Sequence, residues 1–332
     1  MTTGAPADKL AGVKVTVSLL AALALAGPAL ANDSTAEHAA GGLVLTRSEA
    51  IDMVSEDLFV SARQVRVRYV FRNRSPRDIR TTVAFPMPDR DLGEAHFSDS
   101  AYPEDFATRV DGRPVAMAVE RRALLGGADR TDELARFGLA PEADAKRLDA
   151  LAEPVRARLL AAGLAIVDEY DDGRGWPRRL VPAWTVRETW HWQQLFPAGR
   201  DLVIEHAYRP GTGASVGTAL TVPGFRASPE GRRMIADYCI DGAFLAAVDR
   251  LARRLGGTVP EQRLGYILTT GGNWRSPIGD FRLVVDKGAP ENLVSFCAQG
   301  VRKISPTRFE VRHRNWRPDR DLKVLIATPD GD

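Results

Sequence analysis

The chain has 332 residues, 44% of them hydrophobic and 27% charged, with a formal net charge of +2. That length suggests two domains, and the ordinary composition indicates neither a disordered chain nor a membrane protein. Near-neutral charge argues against a nucleic-acid partner, which would call for a basic surplus. Six of the basic residues are Lys and 39 are Arg. Such a ratio fits either recognition of phosphate and carboxylate groups or the coding bias of a GC-rich genome.

The first residues read as a targeting segment. Lys9 and Lys14 precede an apolar run from Val15 to Ala26, Pro28 breaks it, and Ala29-Leu30-Ala31 supplies small residues for a signal peptidase. Cleavage is expected before Asn32, leaving a mature chain of charge +1. The run is too short for a comfortable membrane span, and no later stretch is long and apolar enough for one. No Cys follows the cleavage point, so a lipid anchor is not expected. The expected location is therefore the periplasm or the exterior, with no membrane span in the mature chain.

Beyond Gly41-Gly42 the pattern becomes that of strands. Val65, Val67, Tyr69 and Phe71 alternate with Arg66, Arg68 and Arg72. Asn73–Asp78 is a turn cluster, and Ile79, Thr81, Val83 and Phe85 resume the alternation. The reading is an antiparallel hairpin with one buried face and one wet, Arg-rich face. That Arg face is either a solvated surface or a site for an anionic glycan or lipid headgroup. Val-Arg-Tyr-Val-Phe71-Arg-Asn73, then Ala84-Phe-Pro-Met-Pro88, then Val110-Asp-Gly112-Arg-Pro-Val115 resembles the vault/inter-α-trypsin type of β-domain. The resemblance implies a strand ending in an Asn turn, a strand ending in Phe-Pro-x-Pro, and a later Asp-Gly hairpin.

From Leu124 to about Leu164 the spacing turns helical. Thr131 or Asp132 caps a short helix ending near Gly138, Pro141 opens another, and Pro154 restarts or kinks that one before Gly163 ends it. The acidic run Asp168–Asp172 lacks the alternate ligand spacing of a calcium loop and reads as a solvated loop.

All six Trp lie between positions 176 and 316. Thr185–Phe196 and Asp201–Arg209 read as two strands around Pro197-Ala-Gly199-Arg. A four-residue loop there would set His191 opposite His206, a weak candidate pair for a transition metal with no third ligand in view. Trp184, Trp190, Trp192, Trp274 and Trp316 either fill a β-core or offer flat faces for stacking on sugar rings.

Gly213-Ala-Ser215-Val-Gly217 matches the G-x-S-x-G pattern, but a strand-like Thr218–Val222 follows it instead of a helix. The glycines at 211, 213 and 217 miss dinucleotide spacing, so no cofactor is expected. Asp241 is a good N-cap, and Leu245, Val248, Leu251 and Leu255 form an apolar stripe ended by Gly256-Gly257. Tyr266–Trp274 and Phe281–Val285 read as strands about a Gly-Gly-Asn turn. Three more strand candidates follow at Val301–Ser305, Phe309–Arg314 and Leu322–Thr328. Cys239 and Cys297 are expected to form a disulfide, since the chain is read as exported; two buried free thiols are the other reading. The loop so closed, about 58 residues, is worth roughly 4 kcal/mol in the chain-entropy model.

As a whole the chain resembles a bacterial family of exported proteins known as domain of unknown function 4424. The likeness rests on Asn32-Asp-Ser-Thr-Ala36, Gly41-Gly42-Leu43, Ser55-Glu-Asp57-Leu, Ala84–Pro88 and Phe196-Pro-Ala-Gly199. Its strongest part is Leu268-Thr-Thr-Gly271-Gly-Asn-Trp274 with Gly279–Pro290 and Phe296-Cys297. It implies a periplasmic or secreted β-rich protein and supplies no catalytic residues.

The expected architecture is mainly β, or α+β overall, with two antiparallel sandwich-like domains and a helical insert. Residues 1–31 would be the signal peptide and 32–122 the N-terminal β-domain. The insert and linker would occupy 123–175, and 176–332 the C-terminal β-domain with one helix and the disulfide. The function read from this is a non-enzymatic binding or assembly module of the cell envelope, its partner another envelope protein. The alternative is glycan binding or cleavage by the Trp-rich C-terminal part.

Overall fold

A computed structural model describes residues 33–39, 42–92, 104–169, 175–176, 178–215 and 217–329. The leader segment and its cleavage point lie outside these residues. The fold is mainly β. Its principal strands run β1 (Ser34–Ala39), β2 (Gly42–Thr46), β3 (Ile51–Ser61), β4 (Val65–Asn73), β5 (Ile79–Pro86), β6 (Glu104–Val110), β7 (Arg113–Val115) and β8 (Ala118–Leu125). After the insert come β9 (Thr185–Phe196), β10 (Asp201–Arg209), β11 (Glu261–Tyr266), β12 (Ile278–Asp286), β13 (Leu293–Phe296), β14 (Arg308–Trp316) and β15 (Leu322–Ala327).

An eight-stranded sheet orders Arg302–Lys303, β14, β12, β3, β4, β10, β6 and β7. A seven-stranded sheet orders Ala128–Asp129, β8, β9, β5, β1 and β2, with Arg90–Asp91 paired to the far end of β9. A four-stranded sheet orders Gly213–Ser215, β11, β15 and β13. The segments expected as separate β-domains, 32–122 and 176–332, both contribute strands to the same two large sheets. One apolar core joins these three sheets: Tyr69, Phe71 and Leu283 from the eight-stranded sheet, Phe85 and Phe196 from the seven-stranded one, Tyr266 and Val324 from the four-stranded one.

The alternation read in β4 is what the structure shows, with Val65, Val67, Tyr69 and Phe71 buried and Arg66 and Arg68 exposed. Its partner differs from the expectation. β4 and β5 do not form a hairpin; they lie in opposite sheets, and the Asn73–Asp78 turn carries the chain across. The same correction applies to β9 and β10, which pair with β5 and β8 and with β4 and β6 respectively. The two crossing turns hold each other. Asn73 Nδ2 donates to Phe196 O at 2.9 Å, Gly199 N to Asn73 O at 3.0 Å, and Ala198 N to Asp78 Oδ1 at 2.8 Å. Mutual satisfaction of these backbone groups lets both turns stay compact where the chain changes layers.

The Asp-Gly hairpin is present: β6 pairs β7 across Asp111 and Gly112, both at positive φ, as a tight two-residue hairpin turn requires. Tyr266–Trp274 differs from the reading of strand, turn, strand. β11 ends at Tyr266, a 3-10 turn spans Thr269–Asn273, and β12 pairs in parallel with β3 instead of returning along β11. Gly279 makes this pairing possible, because a Cβ there would run into Val54 O at the bulge between Met53 and Ser55.

The insert holds α1 (Thr131–Arg136), α2 (Ala145–Asp149) and α3 (Glu153–Ala161). Their Leu134, Leu148 and Leu159 form a second core around Trp184 and Val186 at the start of β9. α4 (Pro229–Asp237) and α5 (Gly242–Leu255) follow. Asp241 Oδ1 accepts from Phe244 N and Gly256 ends α5 in the left-handed conformation, as their residue types dictate. The apolar stripe of α5 packs on Leu325 and Ala327 of the four-stranded sheet. Cys239 and Cys297 are joined, with their Cα atoms 5.0 Å apart. No helix among the described residues is long and apolar enough to cross a membrane.

Candidate functional site

The outer face of the eight-stranded sheet carries the densest charge pattern of the described chain. In register across six strands stand Arg312, Arg282, Asp57, Arg68, Glu205 and Arg109. Neighbours of opposite sign meet: Arg282 Nη1 lies 3.1 Å from Asp57 Oδ1, and Arg68 Nε 4.0 Å from Glu205 Oε1. Two residues along, the next rank reads Glu310, Val284, Phe59, Arg66, Ala207 and Ala107. The small and apolar members of this rank sit lower than the long charged ones, and the result is a groove of about 510 Å3.

Five arginines face that groove against two carboxylates, Asp57 and Glu205. Arg308 is paired with Asp286 at 2.7 Å. Arg66 and Arg109 have no carboxylate partner among the described residues. Arg66 lies over the Phe59 ring, 4.8 Å from its centroid, and Arg109 donates to Gly112 O. At the groove's end Glu310 sits under three guanidinium groups, Arg312, Arg282 and Arg302, whose hydrogen bonds pull its carboxyl down to about 2. The groove can therefore hold an anion at one end and cover an apolar body with Phe59 and Val284.

The inner face of the same sheet carries a sealed polar cluster. His206 is buried, its Nδ1 2.8 Å from Thr108 Oγ1 and its Nε2 3.1 Å from Asp33 Oδ1. Burial raises the Asp33 carboxyl above its ordinary range, with His206 opposing the rise. Tyr69 and Tyr266 share a 2.8 Å hydrogen bond beside buried Glu56, and desolvation holds both hydroxyls well above the usual tyrosine range. Trp274 Nε1 donates to Asp33 O at 2.7 Å, and Asn273 Nδ2 to Ser34 Oγ at 3.0 Å. The Gly271–Trp274 stretch is thus a clasp on the chain's first described residues. The side chains of His206 and Asp33 are fully buried, as are Tyr69, Tyr266 and Glu56, so the cluster is read as structural.

The His191/His206 metal pair does not form. The two residues belong to different sheets, with His191 opposite Ala84 and Ala118 and His206 turned into the core. No group of three ligating side chains exists among the described residues. The tryptophans divide. Trp184, Trp192 and Trp274 are core residues with no face open to a sugar. Trp190 is half-buried and stacks on Phe106 at 4.8 Å. Trp316 is half-buried on Phe281 and lines a second cleft. The G-x-S-x-G serine lies in the short strand Gly213–Ser215 and donates to Gly217 O. The signal for the groove was present in the Arg alternation of β4. The Asp33–His206 contact, between residues 173 apart in the chain, had no local signal.

The match to the family model runs over residues 31–325 and is described as a domain of unknown function. The chain belongs to the DUF4424 family. No curated protein matches this DUF4424 chain. Among solved structures it is similar to one from Legionella pneumophila described as a "putative nutrient binding protein". That similarity has 14% identity and a TM-score of 0.47, covering 90% of this chain and 71% of the other. A likeness at that distance bears on neither ligand nor fold here.

Proposed function

We propose that the protein is a binding module whose outer groove takes an anionic ligand with an apolar body, of the class of a fatty carboxylate or an alkyl phosphate. The observation that carries this is the surplus of guanidinium over carboxylate in the groove, with Arg66 and Arg109 lacking acidic partners. Guanidinium groups match carboxylate and phosphate oxygens in pairs. The apolar floor of Phe59, Val284, Ala107 and Ala207 gives the rest of such a ligand a place to leave water. Dodecanoate and dodecyl phosphate are the probes, with dodecanol and inorganic phosphate as controls lacking one half of the pattern. Calorimetry should register both charged amphiphiles more tightly than either control. Equal binding of dodecanol would sink the anionic half of the reading, and equal binding of phosphate the apolar half.

Export to the periplasm or the exterior belongs to the same reading. It is supported by the Lys9–Ala31 leader pattern and by the joined cysteines, which need an oxidising compartment. Service to another envelope protein, and a vault-like character of residues 65–115, are further parts of it, the latter supported by the Asp-Gly hairpin. Cell fractionation tests the location: a chain retained at full length in the cytoplasm, with both thiols free, would contradict it. Glycan recognition keeps a specific observation only at Trp316, in a cleft separate from the groove.

A further inference from the structure

The inner face of the eight-stranded sheet opens at its β12–β14 end into a cleft of about 450 Å3. One wall is aromatic. Trp316 packs on Phe281 at 4.4 Å between ring centroids and stacks on His313 at 5.1 Å. The Cys239–Cys297 disulfide also lines the cleft. Trp316 differs from the four tryptophans on β9 and its approach and at the clasp. Trp184, Trp190, Trp192 and Trp274 each donate their indole N–H within the protein, to Pro141 O, Glu188, Gln194 and Asp33 O. The indole N–H of Trp316 has no acceptor among the described residues. A half-buried indole without an internal partner is ready for an acceptor from outside.

The polar groups around it are already positioned. Asp321 Oδ1 accepts from Leu268 N, Thr269 N and Thr269 Oγ1 at 2.8 to 3.1 Å, while its Oδ2 has no partner among the described residues. Arg317 Nη1 is held on Gly272 O at 2.7 Å. With Asp319 and Arg320 at the rim, the cleft carries two arginines and two aspartates, in contrast to the basic groove on the other face. A flat apolar wall, fixed planar acceptors and donors, and balanced charge suit a ligand that is uncharged, has an apolar ring face and is edged with hydroxyls.

We propose that this cleft is a site for an uncharged saccharide, with a pyranose ring lying against Trp316. The indole N–H and Arg317 would donate to ring oxygens and hydroxyls, and Asp321 Oδ2 would accept from a hydroxyl. Non-glycine backbone at positive φ stands on the disulfide wall, at Cys239 (φ 50°), as is common where a fold shapes a ligand site. The site is independent of the anion groove, because neither lining residue set shares a member with the other.

The test is calorimetric titration of the disulfide-intact protein with maltose, cellobiose and N,N′-diacetylchitobiose. At least one should bind, and Trp316→Leu should weaken it by about tenfold, the size of one lost stacking contact with its hydrogen bond. Asp321→Asn, which keeps the acceptor that holds Leu268 and Thr269, should weaken the same sugar and guards against misfolding of the first variant. Arg66→Ala should leave sugar binding unchanged, so failure of the groove reading does not touch this one. No binding of any of the three at millimolar concentration, or unaltered affinity in both cleft variants, overturns the proposal.

Discussion

The two faces of strand β12 are made of alternate residues and behave in opposite ways. Phe281, Leu283 and Val285 enter the common core, while Arg282 and Val284 face the groove. The same division runs through β4, where Tyr69 is sealed against Tyr266 and Arg68 stands in the charged rank. On the inner face polar groups are few and buried, so each is expensive to disturb. On the outer face they are many, wet and interchangeable, so each single pair contributes little to stability. Stability should therefore follow the sealed part of the inner face, and binding of the anion the outer one.

The largest expected break comes from Trp274→Ala. It removes a buried ring packed 4.4 Å from Phe71 and the donor to Asp33 O. The cost should be about 3–5 kcal/mol in urea unfolding, as for other large-to-small aromatic changes in cores. Removing the disulfide by Cys239→Ser with Cys297→Ser should cost up to about 4 kcal/mol, less if the native loop is already well tied. Gly279→Ala should cost about 1–3 kcal/mol, since the parallel pairing with β3 must shift to admit a methyl group. At the small end, Arg72→Ala removes an exposed pair with Asp201 at 2.5 Å and should shift the urea midpoint the least of these variants, by an amount that falls with added salt.

Glu310 sharpens the comparison because it sits on the outer face yet is wrapped by three arginines. Its folded carboxyl lies at about 2 against an ordinary 4.5, so its stabilising effect is complete above 4.5 and is lost as pH falls toward 2. Melting curves of the wild type and Glu310→Gln should stand furthest apart at neutral pH and converge over that interval. Curves that stay parallel from pH 7 to pH 2 would contradict the assignment.

Much of this division could be read in the sequence. Period-2 alternation told inside from outside in β4, and the Asp-Gly hairpin, the caps of α5 and the disulfide were legible because each is decided by a few neighbouring residues. Which strand lies beside which was not. Asn73–Asp78 and Pro197–Arg200 have the composition of hairpin turns, but both cross between sheets, and only their mutual hydrogen bonds through Asn73 and Ala198 explain why. The proposed histidine pair depended on that hairpin and went with it. The fate of the tryptophans was equally non-local: Trp274 is closed in by Phe71 and Phe196, far away in the chain. Trp316 lies near a strand end, where the core stops.

The groove claim is tested most directly by one double variant, Arg66→Gln with Arg109→Gln, titrated with dodecyl phosphate at low and at moderate salt. Both residues are exposed, so unfolding stability should change by less than about 0.5 kcal/mol. Affinity should drop by at least about tenfold and lose most of its salt dependence, as two charge-assisted contacts are removed. A variant that binds the alkyl phosphate as tightly as the wild type, at either salt concentration, would contradict the account.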